Sequence, residues 1–329
     1  MKKEALYYRK NEDGSVQCLL CPHNCRINNS KAGVCRIRKN TDGTLYTLNY
    51  GEVTSIALDP IEKKPLYHFY PGTVVLSAGT FGCNFKCEFC QNWEISQGTP
   101  PSQFITPENL VETAIREDSF AIAYTYSEPM VWFEYVLESA KLAREKGLKN
   151  ILVTNGYINQ EPLMELIPVI DAMNIDLKGI KNEFYKEHPR GSIDPVLETI
   201  KTSFKKGVHV EVTNLIIPGD NDTKEELEEL VDFIVSVSKD IPVHFSRYFP
   251  HYKMDKDPTP ESTMFMAKEI GDKKLSYVYL GNIWSDHGSD TLCPKCGNIS
   301  ISRKGYMIDT KNLNKGICKK CGFKLNIIT

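Results

Sequence analysis

Between residues 73 and 282 the chain alternates short apolar runs with amphipathic stretches, which leaves few architectures open. Seven runs read as strands: residues 73–78, 121–126, 150–154, 172–176, 209–215, 242–248 and 277–280. Each is rich in β-branched or aromatic residues and too short for a typical helix. The helices between them are legible. Thr106 followed by Pro107 reads as an N-cap and first turn, with Leu110, Val111, Ala114 and Ile115 on one face. Thr223 and Glu226 form a capping box ahead of Leu227, Leu230, Val231, Ile234 and Val235. Repeated strand–helix units build a parallel sheet, so the expected class is α/β, a full or partial (β/α) barrel. In such barrels chemistry gathers at the carboxyl ends of the strands, although fold alone names no reaction.

The eleven cysteines divide by position into four, three and four. Cys18, Cys21, Cys25 and Cys35 lie before the barrel, Cys83, Cys87 and Cys90 follow its first strand, and Cys293, Cys296, Cys318 and Cys321 come after it. No apolar run follows Met1-Lys2-Lys3-Glu4, and no stretch approaches the ~18 apolar residues of a membrane span, so a cytoplasmic protein is expected. Reducing surroundings and tight spacing make these cysteines metal ligands rather than disulfides. Residues 1–50 carry nine Lys/Arg against four Asp/Glu, and residues 293–329 eight against one, so two basic ends flank an acidic body. The expected organisation is a four-cysteine knuckle (1–50), a linker (51–72), the barrel (73–289) and a ribbon-like module (290–329).

Four thiolates close a tetrahedral site, whereas three leave a vacancy. Cys83-x3-Cys87-x2-Cys90 therefore suits a [4Fe–4S] cluster with one iron open, placed where a barrel's active face should be. The competing reading is zinc, completed by a distant His or carboxylate. The carboxy-terminal pair of Cys-x2-Cys-Gly knuckles reads as a zinc ribbon, with rubredoxin-like iron or an Fe–S cluster as its rival. The x2, x3 and x9 spacings of the first set match no standard finger, and His23 lies inside its loop as a substitute ligand. Structural zinc is narrowly favoured there over an auxiliary [4Fe–4S] cluster.

Gly82-Cys-Asn-Phe-Lys-Cys-Glu-Phe-Cys-Gln-Asn-Trp93 resembles the cluster loop of radical S-adenosylmethionine (SAM) enzymes. Together with Cys18-Leu-Leu-Cys-Pro-His-Asn-Cys25, residues 59–66, 124–129, 174–179, 211–218 and 277–282 and the last knuckles, the chain resembles the AmmeMemoRadiSam system radical enzyme, related to pyruvate formate-lyase activases. The resemblance implies a barrel of the radical SAM type and a 5′-deoxyadenosyl radical, made from SAM at a reduced cluster, that abstracts hydrogen from a substrate. It also implies cofactor contacts. Glu128, with Ser127, would meet the SAM ammonium; otherwise Glu128-Pro129 simply starts a helix. Lys178 would meet the methionyl carboxylate and Asp176 would orient it, or the two form a structural ion pair. Phe89 would stack on adenine, or pack in the core. Asn155, Asn214 and Asn282 would bond ribose, adenine or methionine groups, or act as turn formers. His244 and Arg247 would offer a cation to an acidic substrate, or pair with carboxylates.

The expected partners are a low-potential donor such as ferredoxin or flavodoxin, Memo-like and AMMECR1-type proteins, and a protein or peptide substrate. A glycyl-radical-enzyme activase, an RNA-modifying radical enzyme suggested by the basic ends, and a non-enzymatic Fe–S sensor or scaffold are the alternatives.

Overall fold

The computed structural model describes residues 2–283 and 288–329. At its centre lies one eight-stranded sheet. In spatial order the strands are Ser55–Pro60, Val74–Gly79, Ala121–Tyr124, Lys149–Thr154, Ala172–Asp176, His209–Ile216, Val243–Arg247 and Val278–Gly281. The last seven are parallel, each beside its successor in the chain. Every strand expected from sequence is present to within two residues. Among the described residues the two outermost strands have one partner each, so the barrel is partial. Register aligns the carboxyl ends: Tyr124 is level with Ala78 and Leu152, Thr154 with Ile175, and Asp176 with Thr213.

Helices cover the sheet as their caps direct. The Thr106 hydroxyl accepts from the Asn109 amide at 3.2 Å and starts Pro107–Arg116, which buries Leu110, Val111 and Ala114. Ile115, expected on that face, is 50% exposed, because the helical period carries it past the buried stripe. Thr223 accepts from the Glu226 amide at 3.3 Å, the N-cap half of the expected capping box of Lys224–Val237, while the Glu226 carboxylate takes the Thr223 hydroxyl at 2.7 Å.

Residues 51–72 do more than link. Ser55–Pro60 joins the sheet as its antiparallel edge, with Ile56 opposite Ala78 and Leu58 opposite Leu76. Just after it, buried Lys64 reaches Asp59 at 2.6 Å, and Tyr126 donates to the same carboxylate at 2.5 Å. This clamp ties the edge strand to the turn after Ala121–Tyr124.

The amino-terminal module consists of two small antiparallel sheets, and its Val16, Leu20, Ile27 and Leu45 enter the barrel's own core. Arg38 anchors it. Its buried guanidinium bonds both Glu134 oxygens, at 2.7 and 2.9 Å, at the start of helix Phe133–Glu145. The carboxy-terminal module instead gathers Ile301, Leu313, Leu325 and Ile327 around Tyr277 and Tyr279, at the start of the last strand. Phe69 bridges to Ile328, and His68 lies between the Asn326 carbonyl at 2.7 Å and the Tyr279 hydroxyl at 2.6 Å. This module therefore covers the amino end of the barrel, opposite the cluster loop.

Candidate functional site

The cysteine loop leaves the sheet at Gly79, where a β-carbon would come within 2.8 Å of the Thr125 carbonyl oxygen, so only glycine lets the two strand ends approach. Gly82, at φ +92°, turns the chain into Cys83. The loop is tethered on several sides. The Lys86 amide donates to Pro189 at 2.8 Å, the Lys253 amide to the Glu88 carbonyl at 2.9 Å, and Ser96 Oγ lies 3.2 Å from Cys90 Sγ. Asn84 is fully buried and donates to the Tyr157 carbonyl at 2.7 Å. The amide of Phe85 points at Cys83 Sγ at 3.3 Å, a donor aimed at a thiolate. Burial raises the Cys83 thiol well above its usual value and Cys87 to about 12, although Lys178 favours the Cys87 thiolate. A bound cation would supply the charge that ionises both.

The other strand ends converge here. Glu128 is buried and accepts from Thr154 Oγ1 at 2.6 Å and from the amides of Asn155 and Met130 at 2.8 and 2.9 Å. Burial lifts its carboxyl to about 7 while these three bonds pull it down. Glu128 also caps the turn Pro129–Trp132, the helix-start role expected of it. Tyr126 takes φ +69°, a left-handed conformation more often left to glycine. Next to it, Ser127 Oγ is buried with no hydrogen-bond partner among the described residues.

Asp176 and Lys178 pair at 3.0 Å. Burial disfavours the Lys178 charge, but Asp176 and the neighbouring Cys87 hold its pKa above the usual value. The Lys178 ammonium stands 5.8 Å over the Phe89 ring, which is buried beside Phe184 and His188. Asn214 donates to the Leu177 carbonyl at 2.8 Å, and its Oδ1 is buried without a partner.

Some expected contacts take other roles. Asn155 spends its amide on Asn84 Oδ1 at 2.8 Å and reaches Cys83 Sγ at 3.7 Å, so it braces the loop. Asn282 is exposed, at φ +59°, and bonds Ser246 Oγ at 3.0 Å: a turn former. His244 is buried against Glu211 at 2.7 Å, and Arg247 bonds the Thr259 carbonyl at 2.7 Å and Glu261 at 3.3 Å, so neither is a free cation. Glu211 also takes His209 at 3.0 Å and the amides of Tyr67 and His68 at 3.0 and 2.7 Å. Its place in the alternating His209-Val-Glu-Val-Thr-Asn-Leu215 stretch did not show that it would be buried at the hub of this network.

The three cysteine sets differ in geometry. Four thiolates on one ion with metal–sulfur bonds of about 2.3 Å lie roughly 3.8 Å apart. Cys293 and Cys321 sulfurs are 3.6 Å apart, Cys296 and Cys318 sulfurs 3.9 Å, and all four lie within 4.8 Å of one another. Among the described residues no other group of three or more potential ligands meets that limit. Cys83, Cys87 and Cys90 do not form such a group. A cluster, which gives each thiolate its own iron, fits them, and the unpartnered Ser127 and Asn214 oxygens fit a polar ligand beside it.

The radical SAM superfamily model matches residues 78–234, from the strand that feeds Cys83 into helix Lys224–Val237. Over 99% of its length the chain is 45% identical to an uncharacterized protein of Methanocaldococcus jannaschii, covering 99% of that protein. The chain belongs to the radical SAM superfamily. It is also similar to the pyruvate formate-lyase-activating enzyme of Clostridium pasteurianum, 24% identical over 60% of this chain and 87% of that one. Among solved structures, Streptococcus suis SuiB bound to its precursor peptide SuiA superposes with a TM-score of 0.50 at 15% identity, over 69% of this chain and 52% of SuiB. That likeness supports the radical SAM fold alone. The radical SAM barrel is an enzyme scaffold, and this chain is a radical SAM enzyme. No described helix is long and apolar enough to cross a membrane.

Proposed function

We propose that this radical SAM enzyme removes hydrogen from a protein or peptide presented at the carboxyl mouth of the barrel. When bound, a [4Fe–4S] cluster and SAM supply a 5′-deoxyadenosyl radical. The observation that carries this reading is the three-thiol loop, with Glu128 beside Cys83 and Lys178 beside Cys87. Cys83, Cys87 and Cys90 would each hold one iron. Glu128 would accept from the methionyl ammonium, and Lys178, steadied by Asp176, would donate to the carboxylate. Ser127 Oγ and Asn214 Oδ1 take the remaining polar groups, while Phe89, backed by Phe184, keeps water from the radical.

Similarity to an enzyme named for activating pyruvate formate-lyase favours a macromolecular target, and a glycyl-radical-enzyme activase is the second reading on the same ground. The sequence motifs favour the AmmeMemoRadiSam branch, with Memo-like and AMMECR1-type partners and a ferredoxin or flavodoxin donor in the cytoplasm. The carboxy-terminal tetrad suits zinc.

The test is anaerobic incubation of reconstituted protein with SAM and dithionite. Release of 5′-deoxyadenosine, abolished in Cys87→Ala, supports radical formation; equal release from both proteins refutes it. Deuterium passing into 5′-deoxyadenosine from perdeuterated cell protein supports the substrate class. Transfer only from the small-molecule fraction overturns it.

A further inference from the structure

The amino-terminal cysteines stand apart from the carboxy-terminal ones in two respects. All four, Cys18, Cys21, Cys25 and Cys35, line one pocket, walled by Leu20, Ile27 and Val131. Yet no three of their sulfurs come within 4.8 Å of one another, whereas the carboxy-terminal four all do. A single tetrahedral zinc draws its thiolates to roughly 3.8 Å, and this set shows no such point. Sulfurs spread around a cavity are what a polynuclear centre asks for, since each thiolate then serves a different iron. The structural zinc narrowly favoured from the sequence would draw these thiolates closer together.

A second observation comes from Arg38. It lines the same cavity, its side chain is 1% exposed, and its Nε is buried with no hydrogen-bond partner. Glu134 and the Leu6 carbonyl take the terminal nitrogens, so Nε–H is the donor left over. A sulfide or thiolate in the cavity is the acceptor it lacks, and a buried unpaired donor is costly without one.

A third observation concerns location. His23, between Cys21 and Cys25, lies 2.8 Å from the carbonyl of Asn84, the residue after Cys83. A β-carbon on Gly82, the residue before Cys83, would stand 3.3 Å from the Cys35 carbonyl. Arg36 bonds the carbonyls of Ser96 and Gln97, and Ser96 touches Cys90. The loops that carry the two cysteine sets therefore touch one another.

We propose that Cys18, Cys21, Cys25 and Cys35 bind a second [4Fe–4S] cluster, close enough to the open-iron cluster to exchange a single electron with it. The exchange reduces one cluster as it oxidises the other and moves no atom or proton. The electron enters from, or leaves to, a one-electron carrier of the ferredoxin or flavodoxin class. Cys21, Cys25 and Cys35 are partly exposed, which gives such a carrier access.

Iron, acid-labile sulfide and zinc counts on the reconstituted full-length chain decide the site. The expected result is about eight irons and eight sulfides per chain, falling to about four of each when Cys83, Cys87 and Cys90 are all changed to Ala. About four irons and four sulfides in the wild type, with none in the triple variant and extra zinc in their place, would overturn it while leaving radical chemistry at Cys83 intact. If the triple variant does not fold, the wild-type count alone separates eight irons from four. Electron paramagnetic resonance of the fully reduced wild type tests proximity. Spin–spin broadening that the triple variant lacks is expected; a simple sum of two unbroadened signals refutes the exchange.

Discussion

The His23 imidazole meets the Asn84 carbonyl at 2.8 Å and packs edge-on against Tyr157 at 5.2 Å, so an amino-terminal knuckle grips the backbone of the cluster loop. Asn84 is the hub of that grip. Its side chain donates to Tyr157 and accepts from Asn155.

Asn84→Ala should strand the Tyr157 carbonyl and the Asn155 amide in a buried setting. A loss of about 1–3 kcal/mol is expected in denaturant unfolding of the apoprotein. Reconstituted iron should fall with it. An unchanged midpoint and iron content would show that the loop holds itself.

Glu128 gives a pH prediction with a definite sign. Its folded pKa, lifted by burial to about 7, lies above the ordinary 4.5, so the folded apoprotein binds the extra proton. The resulting stability is full below pH 4.5 and is lost as pH rises through about 7. The effect is on the order of 3 kcal/mol at ~1.4 kcal/mol per pKa unit. Glu128→Gln should flatten this limb when urea midpoints are compared across the range. The same slope in both proteins would assign the pH response elsewhere.

Arg38 and Glu134 form a buried pair, so removing one charge costs more than removing both. Arg38→Met should destabilise by about 3–5 kcal/mol, because Glu134 is left buried and under-bonded. Adding Glu134→Gln should restore part of that loss, and thermal unfolding of the two variants reads the difference. Equal losses in both would mean that packing, not charge, dominates.

Cys296→Ser should release about one metal ion per chain and lower thermal stability, since a small ribbon depends on its metal to fold. Production of 5′-deoxyadenosine should persist, because this tetrad lies at the end of the barrel away from Cys83. Simultaneous loss of metal and radical formation would contradict that separation.

The parallel strands were legible because each is a compact β-branched run buried on both faces. The edge strand Ser55–Pro60 was not. Ile56 and Leu58 are 39% and 45% exposed, and the Asp59-Pro60 that closes it reads as a break. The cysteine loop was visible in its spacing, whereas Glu128, Asp176 and Lys178 were singled out only through the family resemblance. The bracing by Asn84 and Asn155 was hidden, since an asparagine near a turn looks the same whether it meets solvent, a ligand or another loop. Metal nuclearity was hidden too. Intervals along a chain count the ligands, while the distances between sulfurs depend on how the knuckles fold back.

The ribbon over the amino end carries a kinetic consequence. Arg303, reaching the Tyr67 carbonyl at 2.7 Å and Thr291 Oγ1 at 2.7 Å, helps stopper the barrel from below. If reactants enter at the carboxyl mouth, the one bound deepest should arrive first, and random-order initial-rate kinetics would contradict this.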